Sequence, residues 1–419
     1  MKLKMILLAA AVVLLTACSE SVVPANTDDE QSEPITSTTE KTQETEESAE
    51  TTTEKPPAEP ASPRFTFKSY EDESFGISLS ITGGTGLSGD ISVPEEIGGY
   101  TVRKISTRAF RDNTEITSVT IPSTVTEIEY AAFKGCTGLT SIAVENNNAS
   151  YVSVDGVLFD KSITTLVQYP IGRQDAAYSI PDSVTEIFQF AFSGSVNLTS
   201  VAIPNSVTTF GQYAFEGCSG LMDITIPSSV TKIGTCTFSE CTGLTSVIIP
   251  YSVDTLGKYV FESCTGLTYI EVEENNENYT SIDGVLFDKN ADQLMQYPIG
   301  RQDAEYSIPD SVASISSFAF YSCTGLTSVT IPSSMAEIGS YAFYHSYGLT
   351  SITIPDSVTK LGESAFDGCE NLTSAIIPDS VTDIDVDVFR NCPVVTIQCH
   401  SGSAAEQYAI VNDIPYTTV

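Results

Sequence analysis

The sequence has no tryptophan and only two histidines, His345 and His400, so a mechanism that depends on imidazole groups has little material to use. Basic residues are also scarce, since 19 Lys and Arg stand against 54 Asp and Glu and give a net charge of −35. A chain this acidic repels nucleic-acid phosphates and anionic lipid headgroups. We therefore exclude nucleic acid and an electrostatically bound membrane surface as partners.

Long hydrophobic runs are scarce as well, and the run at the N-terminus, from Met5 to Leu15, has eleven residues. It follows two lysines, is too short to span a bilayer, and is typical of a signal peptide. The run ends in Leu15-Thr16-Ala17-Cys18, which resembles the bacterial lipobox. The resemblance implies a signal peptide over 1–17 and a lipid on Cys18, and two acyl chains would hold the protein firmly to a membrane. The alternative is a plain secretory signal.

The segment after this cysteine has the composition of a tether. Residues 19–64 are rich in Thr, Glu, Ser and Pro and contain 12 acidic and 3 basic residues, a net charge of −9. Such a segment cannot bury a core, and its like charges and prolines extend it. We predict that residues 18–64 form a lipidated, disordered tether.

From residue 65 onward the sequence repeats, and the marker is a β-branched residue followed by proline. The steps between successive marker prolines are 28, 59, 23, 23, 23, 59, 23, 23 and 23, so the base period is 23 and each step of 59 contains a 36-residue insertion. The insertions lie at about 145–180 and 273–308. DGVLFDK and QYPIGRQDA each recur at the same 128-residue offset, which indicates a tandem duplication. The marker pairs are Val93-Pro94, Ile121-Pro122, Ile180-Pro181, Ile203-Pro204, Ile226-Pro227, Ile249-Pro250, Ile308-Pro309, Ile331-Pro332, Ile354-Pro355 and Ile377-Pro378.

One repeat shows why the chain should stack. Val247 and Ile249 alternate along a short strand, which Pro250 ends because proline has no N–H for further pairing. Phe261 then begins a tight helical turn. No repeat can bury its apolar side alone, whereas stacked repeats share one core. The predicted fold class is a repeat solenoid, β-rich with short helical turns, in a right-handed, leucine-rich-repeat-like stack of 23-residue coils.

The repeat L-x-x-[VI]-x-I-P-x-x-V-x-x-[IL]-x-x-x-[AV]-F-x-x-C resembles the BspA-like leucine-rich repeat of bacterial surface proteins. The DGVLFDK…QYP insertion, the segment from Gly89 to Phe110 and the ending from Ser401 to Val419 resemble that family too. We accordingly predict an N-terminal cap over 65–115, leucine-rich repeats over 116–392 and a C-terminal cap over 393–419. The resemblance implies adhesion to matrix or cell surfaces but fixes no ligand.

Seven of the ten cysteines share one repeat position, three residues after the phenylalanine. Two other coils have Ser195 and Ser346 there, which favours small, buried, reduced residues over an obligatory disulfide scheme, although disulfides between coils stay open. A metal site is not expected, because the chain has no CxxC pair and no histidine near the column. Cys236 and Cys399 lie outside the column, whose cysteines are Cys136, Cys218, Cys241, Cys264, Cys323, Cys369 and Cys392.

Two motifs suggest small ligands. GTGLSG at 84–89 has the glycine spacing of a dinucleotide fingerprint, but the strand-like Asp90 to Pro94 follows it instead of a helix, which favours a turn in the cap. Asp383, Asp385 and Asp387 suggest calcium, but the glycine and glutamate of an EF-hand loop are missing, so an acidic outer face is favoured. We expect no cofactor and no metal.

The candidate ligand contacts lie on the outward positions of the strands. Most of these positions hold Ser, Thr or Ala, and the exceptions cluster between residues 223 and 271. Aromatic and apolar residues on a surface of small side chains are candidate anchors for a partner. Sequence drift at tolerant positions is the alternative. The candidates are Asp223, Ile248, Tyr251, Tyr269 and Glu271.

These observations predict a lipid-anchored binding or adhesion protein on the outer face of a bacterial membrane or cell, with no catalysis. The expected partner is a host or microbial surface protein or a polysaccharide, and the membrane is contacted through the lipid anchor only. The alternative is a lipoprotein that captures a glycan or solute for a transporter or enzyme system. An enzyme would need a pocket with converging chemical groups, and the sequence predicts none.

Overall fold

The computed structural model describes residues 64–419, and these residues stack as a β-solenoid. The predicted signal peptide, Cys18 and the tether up to residue 63 lie outside the described residues. The first strand begins at Arg64, one residue before the predicted start of the N-terminal cap. The predicted β-rich stack of 23-residue coils is confirmed.

Residues 64–419 contain 32 strands and one helix. In chain order the strands are β1 Arg64–Asp72, β2 Gly76–Thr85, β3 Gly89–Ser92, β4 Glu96–Ile97, β5 Tyr100–Ile105, β6 Ile116–Ile121, β7 Glu127–Ile128, β8 Ser141–Val144, β9 Tyr151–Val154, β10 Val157–Asp160, β11 Thr165–Gln168, β12 Ala177–Ser179, β13 Glu186–Ile187, β14 Ser200–Ala202, β15 Thr209–Phe210, β16 Lys232–Ile233, β17 Ser246–Ile249, β18 Thr255–Leu256, β19 Tyr269–Val272, β20 Tyr279–Ile282, β21 Val285–Asp288, β22 Gln293–Gln296, β23 Glu305–Ser307, β24 Ser314–Ile315, β25 Ser328–Thr330, β26 Glu337–Ile338, β27 Ser351–Thr353, β28 Lys360–Leu361, β29 Ser374–Ile376, β30 Asp383–Ile384, β31 Thr396–Cys399 and β32 Tyr416–Thr418. The helix, α1, is Ala404–Val411.

We call the surface formed by the strands that precede each Ile-Pro pair the front sheet. Its strands pair in parallel from one coil to the next, as in β17 and β19, where Val247 lies opposite Ile270. The coil that contains Ile224 has no front-sheet strand but keeps the same alternation, with Ile224 and Ile226 buried and Thr225 exposed between them. The hydrogen-bonded runs are β3-β6-β8, β12-β14, β17-β19 and β23-β25-β27-β29-β31-β32.

A second surface, the side sheet, consists mainly of two-residue strands that follow the proline of each coil. Phe210 pairs in parallel with Ile187 on one side and Ile233 on the other, so one buried residue per coil forms a continuous inner column. The residues of this column and the buried residues of the front sheet belong to the same core clusters. Ile226 and Ile249 belong to one of them, as the stacking prediction requires.

The third side of each coil, the turn edge, carries the repeated phenylalanine. Phe192, Phe215, Phe238 and Phe261 stack in sequence, with ring centroids 5.0, 5.4 and 5.9 Å apart and nearly parallel planes. Backbone N–H groups donate to the next coil at this edge, for example Phe192 N to Ala214 O at 2.8 Å. The segments are tight turns, and α1 is the one helix in the described part of the chain.

The cysteine column forms a ladder of hydrogen bonds. Cys241 Sγ donates to Phe215 O at 3.1 Å, in the coil before it, and five other column cysteines repeat this bond. Ser346 Oγ makes the same bond to Phe320 O at 2.6 Å, which explains why serine can replace cysteine. Burial raises the pKa of Cys218 to about 12, so its thiol stays protonated at neutral pH. All seven column cysteines are buried free thiols.

The column breaks where an insertion enters. In the coil of Ser195 the carbonyl that should accept, Tyr169 O, already accepts from Gln168 Nε2 at 2.9 Å. In the described part of the chain, Ser195 Oγ is buried without a hydrogen-bond partner. Gln296 Nε2 occupies Tyr297 O in the same way at 3.1 Å. In each insertion, the side-chain amide of the glutamine in the Gln-Tyr-Pro segment thus takes the place of the usual hydrogen bond from the column residue.

Each insertion forms a three-stranded antiparallel unit on the side sheet. β9, β10 and β11 make up the first, and β20, β21 and β22 the second, with the same register and the same bulge. The last strand of each unit pairs in parallel with the next ordinary coil. The insertions therefore widen the solenoid without interrupting it.

A buried asparagine fixes the start of each insertion. Asn148 Nδ2 donates to Pro122 O and Val125 O at 2.8 and 2.9 Å, and its Oδ1 accepts from Ser150 N and Tyr151 N, both at 2.8 Å. Asn276 makes the corresponding four bonds in the second insertion. Four backbone groups are satisfied by one side chain, which locks the departing chain to the coil below.

Both ends of the solenoid are covered. At the N-terminal end β1 and β2 form an antiparallel hairpin, and β2 pairs in parallel with β5. At the C-terminal end Ser403 Oγ accepts from Glu406 N and caps α1, which buries Ala405 and Ala409 against the last coils. Within residues 64–419 no helix has the length and apolarity needed to cross a membrane.

Candidate functional site

The predicted ligand contacts lie on the front sheet, and the structure brings three of them together. Ile248 and Glu271 are register partners on β17 and β19, and Tyr269 lies opposite Ser246. Asp223 is exposed on the preceding coil, and Tyr251 lies just beyond the proline that ends β17. Ile248, Tyr251 and Tyr269 are 49%, 54% and 45% exposed, which is high for large apolar side chains. We call these five residues the front patch.

Tyr269 also borders the second insertion. A Cβ atom built on Gly284 would clash with Cδ2 of Tyr269, so the ring rests directly on the glycine of the insertion turn. In the first insertion Gly156 meets the smaller Ser141. Arg301 holds this turn through a 2.5 Å bond to Asp283 O. The front patch therefore has a rigid neighbour at one side.

Sequence reasoning missed a second site, a cleft of about 370 Å³ beside the second insertion. Its walls come from the coil of Tyr259, from strand β22 and from the turn after β24. Lys258 and Ser316 both line it, and Gln293 and Met295 come from β22. Clefts of this size are typical of small-molecule sites. No residue in it belongs to a chemical motif, so only a comparison of the two 128-residue blocks could have shown it.

Aromatic rings on the turn edge continue from this cleft. Phe318 meets Tyr259 edge to face at 4.9 Å and stacks on Tyr341 at 4.9 Å with an angle of 8° between the planes. Tyr321 stacks on Tyr344 at 5.9 Å in a neighbouring column. Edge-to-face and stacked contacts of this kind are favourable beyond their buried area. We call these rings, with His345 and Tyr347, the aromatic row.

The aromatic row is electrically neutral near pH 7. Burial raises the pKa of Tyr321 to about 12. Burial and a 2.7 Å hydrogen bond to Glu363 raise the pKa of Tyr341 to about 12. Burial lowers the pKa of His345, whose Nδ1 lies 2.6 Å from the Tyr347 hydroxyl. The phenols therefore keep their protons and the imidazole stays uncharged.

The motifs that suggested small ligands occupy structural positions. Residues 84–89 run from the end of β2 to the first residue of β3, so the glycines lead into a strand. Asp383 lies 3.8 Å from Lys360, and Asp387 lies 3.3 Å from Arg390, so cations of the protein partner both carboxylates. Within residues 64–419 no group of three or more His, Cys, Asp or Glu side chains could hold a metal ion.

His400 pairs with Asp379 at 2.9 Å on the exposed C-terminal cap. The contact of the Tyr347 hydroxyl with His345 Nδ1 lies outside the cleft, whose lining contains neither residue. The described residues thus offer contact surfaces and a cleft.

The sequence matches the BspA type leucine-rich repeat region in six copies, over residues 94–167, 176–291 and 304–413. These ranges cover more than half of the chain. The protein belongs to the BspA-type leucine-rich-repeat family. The match includes β9, β10, β20 and β21 of the insertions as well as ordinary coils, so the predicted family resemblance is confirmed. No curated protein matches this BspA-type chain.

Solved structures share the BspA-type fold. A leucine-rich cell surface protein from Faecalibacterium prausnitzii is 27% identical, with a TM-score of 0.51 over 82% of this chain and 95% of that one. A leucine-rich repeat protein from Eubacterium ventriosum is 22% identical, with a TM-score of 0.52 over 84% and 82%. The pneumococcal vaccine antigen PcpA is 20% identical, with a TM-score of 0.50 over 85% and 97%. The last two show likeness of fold alone.

Proposed function

We propose that this BspA-type protein is a non-catalytic binding protein of the bacterial cell surface, which adheres to a partner protein through the front patch. The observation that carries the proposal is the exposure of Ile248, Tyr251 and Tyr269 on a sheet whose other outward residues are mostly small. Large side chains on a rigid, flat sheet lose little conformational freedom on binding and can act as anchors.

The charge of the front patch indicates the kind of partner. Asp223 and Glu271 lie beside the apolar anchors, and the whole chain has a net charge of −35. Opposite charges speed encounter and disfavour wrong partners. A surface protein with apolar residues surrounded by lysine or arginine would fit this patch.

Two observations support the surface location. The 27% identical protein from F. prausnitzii is described as a leucine-rich cell surface protein. The lipobox-like segment ending at Cys18 supports a lipid anchor on the outer face of the membrane, with the acidic segment 18–64 as a spacer. Both acyl attachment and display are parts of the proposal, and mass spectrometry of the mature N-terminus tests them.

The adhesion proposal is tested by surface plasmon resonance of the full chain against a panel of extracellular-matrix proteins. We expect one member of the panel to bind. The double variant Tyr251→Ser/Tyr269→Ser should bind that protein at least about ten-fold more weakly, since a ten-fold loss of affinity corresponds to the loss of one modest anchor. The matched control is Ile376→Thr, which removes an exposed apolar residue from a distant coil of the same sheet. Equal affinities of the parent and the double variant, or a panel without a binder, would overturn the proposal.

The second candidate is a lipoprotein that captures a glycan or solute for a transporter or enzyme system. The observation that favours it is the cleft beside Tyr259, which has the size of a small-molecule site.

A further inference from the structure

The two 128-residue blocks provide an internal comparison for the cleft. Phe188 of the first block corresponds to Ser316 of the second. Phe188 packs on the hydrophobic cluster that contains Val167, and both Val167 and Gln168 are buried. At the matching positions of the second block, Met295 and Gln296 are only partly buried and line the cleft. A phenylalanine fills the first site, and a serine leaves the second one open.

The other differences add polar and aromatic groups to the open site. Ala131 of the first block corresponds to Tyr259, and Thr165 corresponds to Gln293. Both Tyr259 and Gln293 line the cleft. Gln296 Nε2 is fixed by its bond to Tyr297 O, as Gln168 is in the first block, so this amide is held in place before any ligand arrives. Preorganised groups lose less entropy on binding.

The aromatic row differs from the corresponding rings of the first block, where a lysine lies on the stack. In the first block Lys134 Nζ lies 5.0 Å above the ring of Phe190 and pairs with Glu216 at 2.7 Å, which covers the stack of Phe190 on Tyr213. The corresponding positions in the second block hold Glu262 and Tyr344. Over the described part of the chain, no lysine or arginine lies on Phe318 or Tyr341 at that distance.

We propose that the cleft binds the end of a neutral polysaccharide chain. Carboxamides and hydroxyls both donate and accept hydrogen bonds, as sugar hydroxyls do. The ring of Tyr259 lines the cleft and is partly exposed, so it offers an apolar surface to the C–H face of a pyranose ring. No carboxylate is among the described residues that line the cleft, and Lys258 is the one cation there.

A peptide fits this lining less well. The polar groups of Gln293, Gln296 and Ser316 line a single cleft, which matches a ligand that carries hydroxyls along its whole length. A peptide would need a pocket for each anchoring side chain. The glycan site deepens the second candidate function by naming the ligand class, and it does not depend on the front patch.

The test is binding of the full chain to a panel of neutral oligosaccharides: maltohexaose, cellohexaose, xylohexaose, mannohexaose and a galactan fragment, with a random peptide library beside it. Isothermal titration then compares the parent with Ser316→Phe, which introduces the residue of the first block. Thr353→Phe is the control, because it adds the same ring at an exposed front-sheet position that does not line the cleft. We expect one oligosaccharide to bind, Ser316→Phe to weaken it about ten-fold or more, and Thr353→Phe to leave it within about two-fold.

Each other outcome contradicts the glycan proposal: no binding across the panel, equal affinity of Ser316→Phe and the parent, or peptide binding at the cleft in place of sugar. Tyr259→Ala supplies a second variant if Ser316→Phe fails to fold, and we expect the same loss. The front-patch variant Tyr251→Ser/Tyr269→Ser should keep its affinity for the oligosaccharide. Ser316→Phe should keep binding of any matrix protein, so failure of one proposal is distinguishable from failure of the other.

Discussion

The two insertions share a scaffold and differ at one surface. Asn148 and Asn276 make the same four bonds. Arg173 and Arg301 hold matching turns through bonds of 2.5 Å to Asp155 O and Asp283 O. The differences collect instead around the cleft, where Phe188 is replaced by Ser316. After a duplication, residues that satisfy buried polar groups have little freedom to change, whereas a residue that only covers the surface can be lost at small cost.

The largest effect should come from the shared asparagines. Asn148→Ala or Asn276→Ala leaves four backbone groups without their partner, and we expect each to lower the free energy of unfolding by about 3 kcal/mol. Urea denaturation monitored by circular dichroism measures both. Losses that differ by more than about 1.5 kcal/mol between the two variants would break the claim of a common scaffold, since measured contributions vary with context by about this amount.

The next effect should separate the blocks. Gly156 and Gly284 have φ of 80° and 77°, so alanine at either costs about 1–2 kcal/mol from backbone strain. Gly284→Ala should cost more than Gly156→Ala, because its Cβ would meet the Tyr269 ring rather than the smaller Ser141. Denaturation midpoints test this difference. Adding Tyr269→Ser to Gly284→Ala should abolish the difference in stability between the two glycine variants. A difference that persists would show that the Tyr269 ring does not lie against Gly284.

The cleft should make the two blocks differ in how a substitution at this position changes the free energy of unfolding. Phe188→Ser removes a partly buried ring from its cluster and should cost about 1–2 kcal/mol. Ser316→Phe fills an existing cleft and should leave the unfolding free energy unchanged or raise it. Thermal unfolding of the two variants compares them. Destabilisation of both by similar amounts would mean that the second block has no room for a ring.

The smallest effect should be shared and dependent on pH. Burial and the charge of Asp175 raise the pKa of Tyr169 to about 12, and burial with the bond to Asp303 raises that of Tyr297 as well. Raised folded pKa values give stability that is complete below the unfolded value of about 10 and is lost as pH rises beyond it. Tyr169→Phe and Tyr297→Phe should each reduce the loss of stability between pH 9.5 and 11. If the stability of both variants depended on pH as that of the parent does, the raised pKa values of Tyr169 and Tyr297 would be contradicted.

Much of the fold could be predicted from the sequence because its signals repeat. Three repeated signals predicted the coil: the proline marker gave its period, the alternation of Val247 with Ile249 gave its strand, and the cysteine column gave a buried position. The bond from each column thiol to a carbonyl of the preceding coil was not predictable, because it depends on the stagger between coils. The front patch could be predicted for the same reason as the fold, since it consists of exceptions to a regular pattern.

The cleft could not be predicted from single residues. Ser316 has no feature that distinguishes it from the other serines of the chain. It indicates a cleft only when it is compared with Phe188, the residue at the matching position of the first block. Tyr259 and Phe318 lie on either side of the second insertion in the sequence, and they meet only because that insertion stays on the side sheet. Their separation of 59 residues is one repeat step with its insertion, so the register places both rings on adjacent coils but does not show that a cleft opens beside them.

The central claim is that one scaffold is closed in the first block and open in the second, and thiol labelling tests it most directly. Val167→Cys and Met295→Cys place a thiol at the same scaffold position of each block, and the parent chain supplies the background. Thiol reactivity follows exposure, so in the native protein the Met295→Cys variant should be labelled at least about ten-fold faster than Val167→Cys. Equal labelling rates of the two native variants would contradict the account.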